Sequence, residues 1–337
     1  MIRRSIPILL VLVVALGCSI DPDHSPLERI GSPLPEMLDR DENWWMATRA
    51  FYLAIDRVSE ARLEESVASF SGIHSRYMHW DAGNAASVDW LMETLRGYGA
   101  PAEADSFRFH RTRWIDTANV ISEFPGRNNP EEVVVVGAHW DSIDYPESFQ
   151  DSSVRAPGTI DNATGVAALV ELARILGEFT LDRTVRIVFF ASEEIGMHGS
   201  RRERDRWRPG ETTDSLVCMV NVDMLGWDQD RPDASLICNA LSAPLAGALL
   251  PLVHEATQFI VVDTLLKSAA SPGGSSDHLQ FWYYGMPAIW LHEGPDDLFP
   301  YANTDADSLP ELDAAFLADG TRALVAAVLR LAGPISD

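Results

Sequence analysis

The chain has 337 residues, 46% of them hydrophobic, and carries 26 basic against 50 acidic side chains for a formal charge of −24. That hydrophobic share supports one large buried core. The acidic excess excludes nucleic acid as a partner, because phosphate recognition needs a basic face. There is no internal repeat and no low-complexity block.

In chain order, the first segment is an export signal. Arg3 and Arg4 form a basic start, residues 6–16 are almost wholly apolar, and Ala15-Leu16-Gly17-Cys18 follows. The apolar run is short for a membrane-spanning helix, and a segment of this kind is removed or anchored rather than folded. Small residues directly before a cysteine resemble a bacterial lipobox, which implies that Cys18 becomes the lipidated first residue, so that membrane contact is made only through this anchor at the periplasmic or cell surface. Ala15 stands where that motif more often has Leu. Loss of residues 1–17 removes Arg3 and Arg4 and no acid, leaving 24 basic residues against 50 acidic, a charge of −26. The Pro- and Asp-rich stretch 18–41 is then a tether, and 42–337 one catalytic domain. Only Cys218 and Cys238 remain; an oxidising compartment permits them to pair, and two buried free thiols fit equally well.

A helical stretch at 44–69 precedes another at 85–98, where Val88, Leu91, Leu95 and Tyr98 recur at helical spacing. After Gly99 short apolar strands alternate with helices, the texture of an α/β domain. The clearest strands are 133–136, 185–190 and 216–222, whose unbroken β-branched and apolar runs suit a sheet covered on both faces. A helix at 165–176 lies between the first two. The order predicts a central, mostly parallel sheet flanked by helices.

In such sheets working residues gather beyond the carboxyl ends of the strands, and each clear strand here ends in a candidate metal ligand. The first runs into Ala138-His139-Trp140-Asp141, the second into Ser192-Glu193-Glu194, the third into Asn221-Val222-Asp223. His139 offers one imidazole nitrogen to a metal, and Asp141, two residues on, is placed to accept a hydrogen bond from the other. Asp161 sits in the Gly-bounded loop 158–165, which opens the helix, where one carboxylate can bridge two cations. Of two adjacent glutamates at a strand end, one can ligate metal while its neighbour moves protons.

Together these segments resemble the zinc aminopeptidase family that includes bacterial leucyl aminopeptidases, glutamate carboxypeptidase and glutaminyl cyclases. Further similarity lies in Ser71-Gly72 through Gly99, in Thr117-Ala118-Asn119-Val120-Ile121, and in Ser276-Asp277-His278 with Phe281, Gly285 and Pro287-Ala288. The resemblance implies a three-layer α/β/α sandwich on a mixed, mostly parallel sheet, and two zinc ions. It makes His139 and Asp223 ligands of one zinc, Asp161 the bridge, Glu194 a ligand of the second and Glu193 the general base. Asp141 supports His139 rather than ligating. The resemblance also implies a cis peptide between Asp161 and Asn162.

One position departs. The family's fifth ligand is a histidine in a Tyr-His-Thr-x-x-Asp-Thr segment, whereas the chain reads Tyr301-Ala302-Asn303-Thr304-Asp305-Ala306-Asp307-Ser308. Asn303 falls where the histidine belongs, and an amide oxygen is a poorer zinc ligand than imidazole, so the second zinc is expected to be the weaker. His278 and His292 are available to compensate, but a lone histidine is usually a hydrogen-bonded structural residue. The run Arg201 to Arg206 can hold a substrate carboxylate or form a solvated mixed-charge face. Trp227, Trp282, Tyr283, Tyr284 and Tyr301 can line a pocket or pack in the core.

The expected activity is hydrolysis of the peptide bond beside a free N-terminus by metal-activated water, with Glu193 carrying the proton. Two other functions fit the same scaffold: a glutaminyl-peptide cyclase, although the single-zinc cyclases keep the late histidine, and a binding homologue with weakened catalysis.

Overall fold

The computed structural model describes residues 49–228, 233–267, 275–294 and 299–335. The expected signal, the tether and the start of the helix expected at 44–69 lie outside the described residues. That helix is two elements, α1 (Arg49–Asp56) and α2 (Glu60–Ser71). Ser59 separates them: its backbone is extended and its hydroxyl accepts from the Arg62 amide at 3.4 Å, so it caps a new helix start. Helix α3 spans Asp81–Gly97, one turn earlier than apolar spacing predicts. Its first turn is small and polar because it lies tight against Ser75 and Trp80; a Cβ at Gly83 would fall 2.0 Å from the Ser75 carbonyl oxygen.

The strands follow as β1 (Glu103–His110), β2 (Trp114–Phe124), β3 (Asn129–His139), β4 (Thr180–Leu181), β5 (Arg183–Phe190), β6 (Ser215–Val222), β7 (Asp233–Cys238), β8 (Val261–Leu266), β9 (Ala288–Glu293) and β10 (Pro334–Ile335). The remaining helices are α4 (Thr164–Leu176), α5 (His198–Arg206), α6 (Ala243–Ala256), α7 (His278–Trp282) and α8 (Ala314–Ala332). Eight strands form one sheet in the order β1-β2-β5-β3-β6-β9-β7-β8, while β4 and β10 pair separately. Its centre, β5-β3-β6-β9, is parallel, and antiparallel pairings enter at β1-β2, β2-β5 and β9-β7.

Side-chain alternation along the strands builds the layers. Val134, Val136 and Ala138 of β3 join the larger core beneath α1 to α4, α6 and α8, whereas Val133 and Val135 face the smaller core that holds α5 and α7. The same alternation sends Val185, Ile187 and Phe189 to one face and Val188 and Phe190 to the other. Buried carboxylates tie the large layer together. Asp319 of α8 accepts the amides of Gln258, Phe259 and Ile260, and Glu171 of α4 holds Arg62, Arg174 and the Ser59 amide. No helix of the described residues is long and apolar enough to cross a membrane. Cys218 and Cys238 are both buried and free, so the two thiols are not paired.

The connections place the site. From β3 the chain passes through α4 to β5 on one side, then through α5 to β6 on the other side of β3. The crossovers diverge there, which opens a crevice at the carboxyl ends of β3, β5 and β6.

Candidate metal centre

His139 is the last residue of β3 and is fully buried. Its Nε2 lies 3.1 Å from Asp161 Oδ1 and 3.3 Å from Asp223 Oδ1. Two ligands each about 2.05 Å from a tetrahedral zinc stand about 3.3 Å apart, so each of these two separations suits a pair of ligands on one zinc. On the other flank, donor atoms of His139, Asp161 and Glu194 all fall within 4.8 Å of one another. The Asn303 amide reaches Asp161 Oδ2 at 2.7 Å and Glu194 Oε1 at 3.2 Å. It presents Nδ2 to these carboxylates, and a half-turn about its last side-chain bond puts Oδ1 at the same point.

Asp141 does more than face His139. Nδ1 of the imidazole is 3.2 Å from the Asp141 backbone carbonyl and 3.6 Å from its carboxylate, so the carbonyl is the nearer acceptor. The carboxylate instead accepts the amides of Glu193 at 2.9 Å and Glu194 at 3.2 Å. One side chain at the end of β3 thereby fixes both glutamates at the end of β5. The Asp161-Asn162 peptide is cis, as the family resemblance implies. Asn162 donates to the Val222 carbonyl and accepts from the Gly165 amide, tying the Asp161 loop to the end of β6.

The described residues contain four non-glycine residues with positive φ: Ser192 (64°), Met197 (54°), Met224 (55°) and Asn303 (59°). Ser192 precedes Glu193, Met224 follows Asp223, and the Met197 amide donates to the Glu193 carbonyl. The left-handed conformation costs a non-glycine residue about 1–2 kcal/mol. Its concentration here is the strain expected where side chains must be aimed rather than merely packed.

His278 and His292 do not join the cluster of donor atoms among the described residues. His278 stacks on Trp290 and lies edge-on to Trp282, and burial lowers it to about 3. His292 packs edge-on to Trp290, and burial lowers it to about 4. The arginine run forms α5, where Arg202 pairs with Asp105, Arg204 with Asp205 and Arg206 with Asp214. Trp282 is buried, Trp227 and Tyr301 pack on Phe299, and Tyr283 is exposed.

Four residues without a role in the sequence reading belong to the site's surroundings. Asp277 is buried and raised to about 7, chiefly by burial. Glu293 ends β9 with Oε1 on the Phe299 amide and Oε2 without a hydrogen-bond partner. Applied to the apolar run 288–291, the strand-end rule finds it. Asp307 stands at the Asp of the Tyr-His-Thr-x-x-Asp-Thr segment, but nothing local shows what it holds, and Arg76 carries no signal, since each acts on backbone far away in sequence.

The electrostatics describe a site short of positive charge. Burial raises Glu193 well above its usual range, reinforced by Asp277, Asp223 and Asp141, and burial with Asp161 and Glu193 does the same to Glu194. Burial lowers His139, but Asp223, with hydrogen bonds to Asp141, Asp161 and Asp223, reverses this and raises it well above the usual imidazole value. Burial pushes Asp223 up, and the His139 charge and hydrogen bond, helped by Ser276 and His292, more than cancel it. An imidazole among crowded carboxylates holds a proton where a divalent cation satisfies the same charge. The donor set therefore fits a zinc-type ion, which takes nitrogen and carboxylate ligands.

Residues 119–328 match the family described as Peptidase family M28. The chain belongs to that family. A probable leucine aminopeptidase 1 of Trichophyton verrucosum is 28% identical over 300 residues, covering 82% of this chain and 75% of that protein. In fold the chain is similar to the LapA aminopeptidase of Legionella pneumophila, with a TM-score of 0.69 at 21% identity over 85% of this chain and 75% of that one. It is also similar to the Porphyromonas gingivalis glutaminyl cyclase, with a TM-score of 0.65 at 19% identity over 80% of this chain and 98% of that one. At these identities the two structures establish the shared fold.

A pH dependence follows for the metal-stripped protein. Glu193, Glu194, Asp277 and Glu293 have folded-state values above their unfolded ones, so between the ordinary carboxylate range and about pH 7 the folded state binds more protons. Their contribution to stability is complete at the acid end and is lost as pH rises through the folded values. Urea midpoints of the chelated protein should fall between about pH 5 and 8, and saturating zinc should remove that fall because the cation takes the protons' place. A midpoint that rises across this range without metal contradicts the crowding of these carboxyls.

Proposed function

We propose that the protein is a zinc-dependent aminopeptidase with two cations. His139 and Asp223 hold one, Glu194 and Asn303 the other, and Asp161 bridges them. The observation that carries this reading is the convergence of the His139, Asp161 and Glu194 donor atoms beside Glu193 in the crevice of a family M28 fold. Sequence relatives such as the Trichophyton protein are named aminopeptidases, which favours residue release over the ring closure of a cyclase.

Bound cations supply Lewis acidity and a water of lowered pKa. The chain's own residues do the rest. Glu193 is fixed at the end of β5 by its amide on Asp141, with its carboxylate free to accept a proton. It takes the proton from the attacking water and returns it to the leaving amine. His139 must lose its proton to become a ligand, so zinc uptake releases protons.

The zinc-loaded protein should release the N-terminal residue from free peptides and leave N-acetylated ones intact. A Gln-initiated peptide should lose glutamine rather than cyclise. Glu193→Gln should keep zinc and the fold while kcat falls at least about a hundredfold. A variant with most of its turnover removes Glu193 from the mechanism, and cleavage of blocked peptides removes the aminopeptidase reading.

The Glu194 and Asn303 position has the poorer ligands, so graded chelator should empty it first and Asn303→His should tighten it. Loss of both zincs at one chelator concentration contradicts this asymmetry. Support for anchoring comes from Ala15-Leu16-Gly17-Cys18. Cys18→Ser should move the exported protein from the membrane to the soluble fraction, and unchanged membrane retention in that variant rejects the lipid anchor.

A further inference from the structure

Asp161 serves both cation positions, and two residues distant in sequence hold its loop. Asp307 is fully buried. Its Oδ1 accepts the Ile160 amide at 2.8 Å, its Oδ2 accepts the Asp161 amide at 3.0 Å, and its own carbonyl accepts the Thr159 amide at 3.3 Å. From behind, Arg76 is also fully buried. Its Nε donates to the Trp140 carbonyl at 2.8 Å, Nη1 to the Pro157 carbonyl and Nη2 to the Gly158 carbonyl at 2.8 Å. Its backbone amide donates to Ser142 Oγ, and that hydroxyl donates to the Ala156 carbonyl.

The planar guanidinium fork thus spans the gap between the residue after His139 and the start of the Asp161 loop. Only a rigid, multidentate donor bonds both at once. The fit leaves no room for side-chain bulk. Gly158 has φ +52°, and a Cβ there would lie 2.5 Å from the Asp161 carbonyl oxygen and 2.8 Å from Arg76 Nη2. Stability alone is a poor reason to bury these charges, since apolar replacements of buried ion pairs are often neutral or stabilising. Every acceptor and donor in this arrangement belongs to the chain, so the arrangement needs no cation to form. A loop already fixed does not lose its conformational freedom when a cation binds.

We propose that Arg76 and Asp307 are positioning residues that hold the Asp161 loop in its ligating conformation before a cation arrives, so that affinity at both cation positions depends on them. This rests on the metal-centre reading above. The test uses the mature chain stripped of metal. Hydrogen exchange should find the Ile160 and Asp161 amides already protected in the wild type and exchanging at least about tenfold faster in Asp307→Asn, whose amide group turns a donor toward one of the two N–H groups. Chelator competition should then show zinc affinity falling at least about tenfold at both positions in folded Asp307→Asn and Arg76→Lys, whereas Asn303→Ala weakens one position only.

A purely structural role lowers the unfolding midpoint of the metal-free variants and leaves zinc affinity unchanged. Folded variants that keep wild-type affinity, or that lose one zinc only, overturn the proposal. So does a metal-free wild type whose Ile160 and Asp161 amides exchange freely and become protected only with zinc, a result available even if neither variant folds. A wild type that binds no zinc defeats the metal-centre reading, and the exchange pattern then judges the clamp by itself.

Discussion

The structure depends on burying a cluster of carboxylates around one imidazole. Asp141, Asp161, Glu193, Glu194, Asp223 and Asp277 come from five segments of the chain and converge within mutual electrostatic reach. Taking such charges out of water is costly unless each has a partner. The partners here are few: two backbone amides for Asp141, His139 for Asp161 and Asp223, and the Asn303 amide for Asp161 and Glu194. Asp141 takes two amides, Asp307 takes two, and Arg76, lowered by burial to about 10, feels Asp307, Asp141, Asp161 and Glu194. What the chain leaves uncompensated is the charge that a divalent cation supplies.

The sheet topology makes this arrangement possible. Because β5 and β6 flank β3, their carboxyl ends deliver Glu193 with Glu194, Asp223 and His139 into one crevice. The apolar runs behind them are buried on both faces, so the strand ends cannot shift without disturbing two cores. Rigidity behind and strain in front go together: left-handed backbone occurs at Ser192, Met197 and Met224, beside Glu193 and Asp223.

The fold is shared by hydrolases and a cyclase, so chemistry is decided by the site rather than by the scaffold. In this chain the distinctive element is Asn303, a neutral amide between Asp161 and Glu194. It hydrogen-bonds both carboxylates and lacks the imidazole nitrogen that zinc prefers.

The sequence by itself determined the architecture and which polar residues meet at the strand ends. Apolar runs at 133–136, 185–190 and 216–222 specify buried parallel strands, and polar residues within a few positions after such a run lie at a strand end, where His139, Glu193, Glu194 and Asp223 stand. That inference works because burial and strand direction are local properties of the chain. It did not reveal the break at Ser59, since a helix cap competes with periodicity that runs straight through it. Nor did it reveal that Asp141 holds the glutamate amides, that His278 and His292 pack against Trp290, or that Arg76 and Asp307 grip the Asp161 loop. These are contacts with backbone groups or rings many residues away, which no local pattern encodes. Only the tertiary fold brings position 307 to position 161, because the pairing is made by the sheet order and not by spacing along the chain.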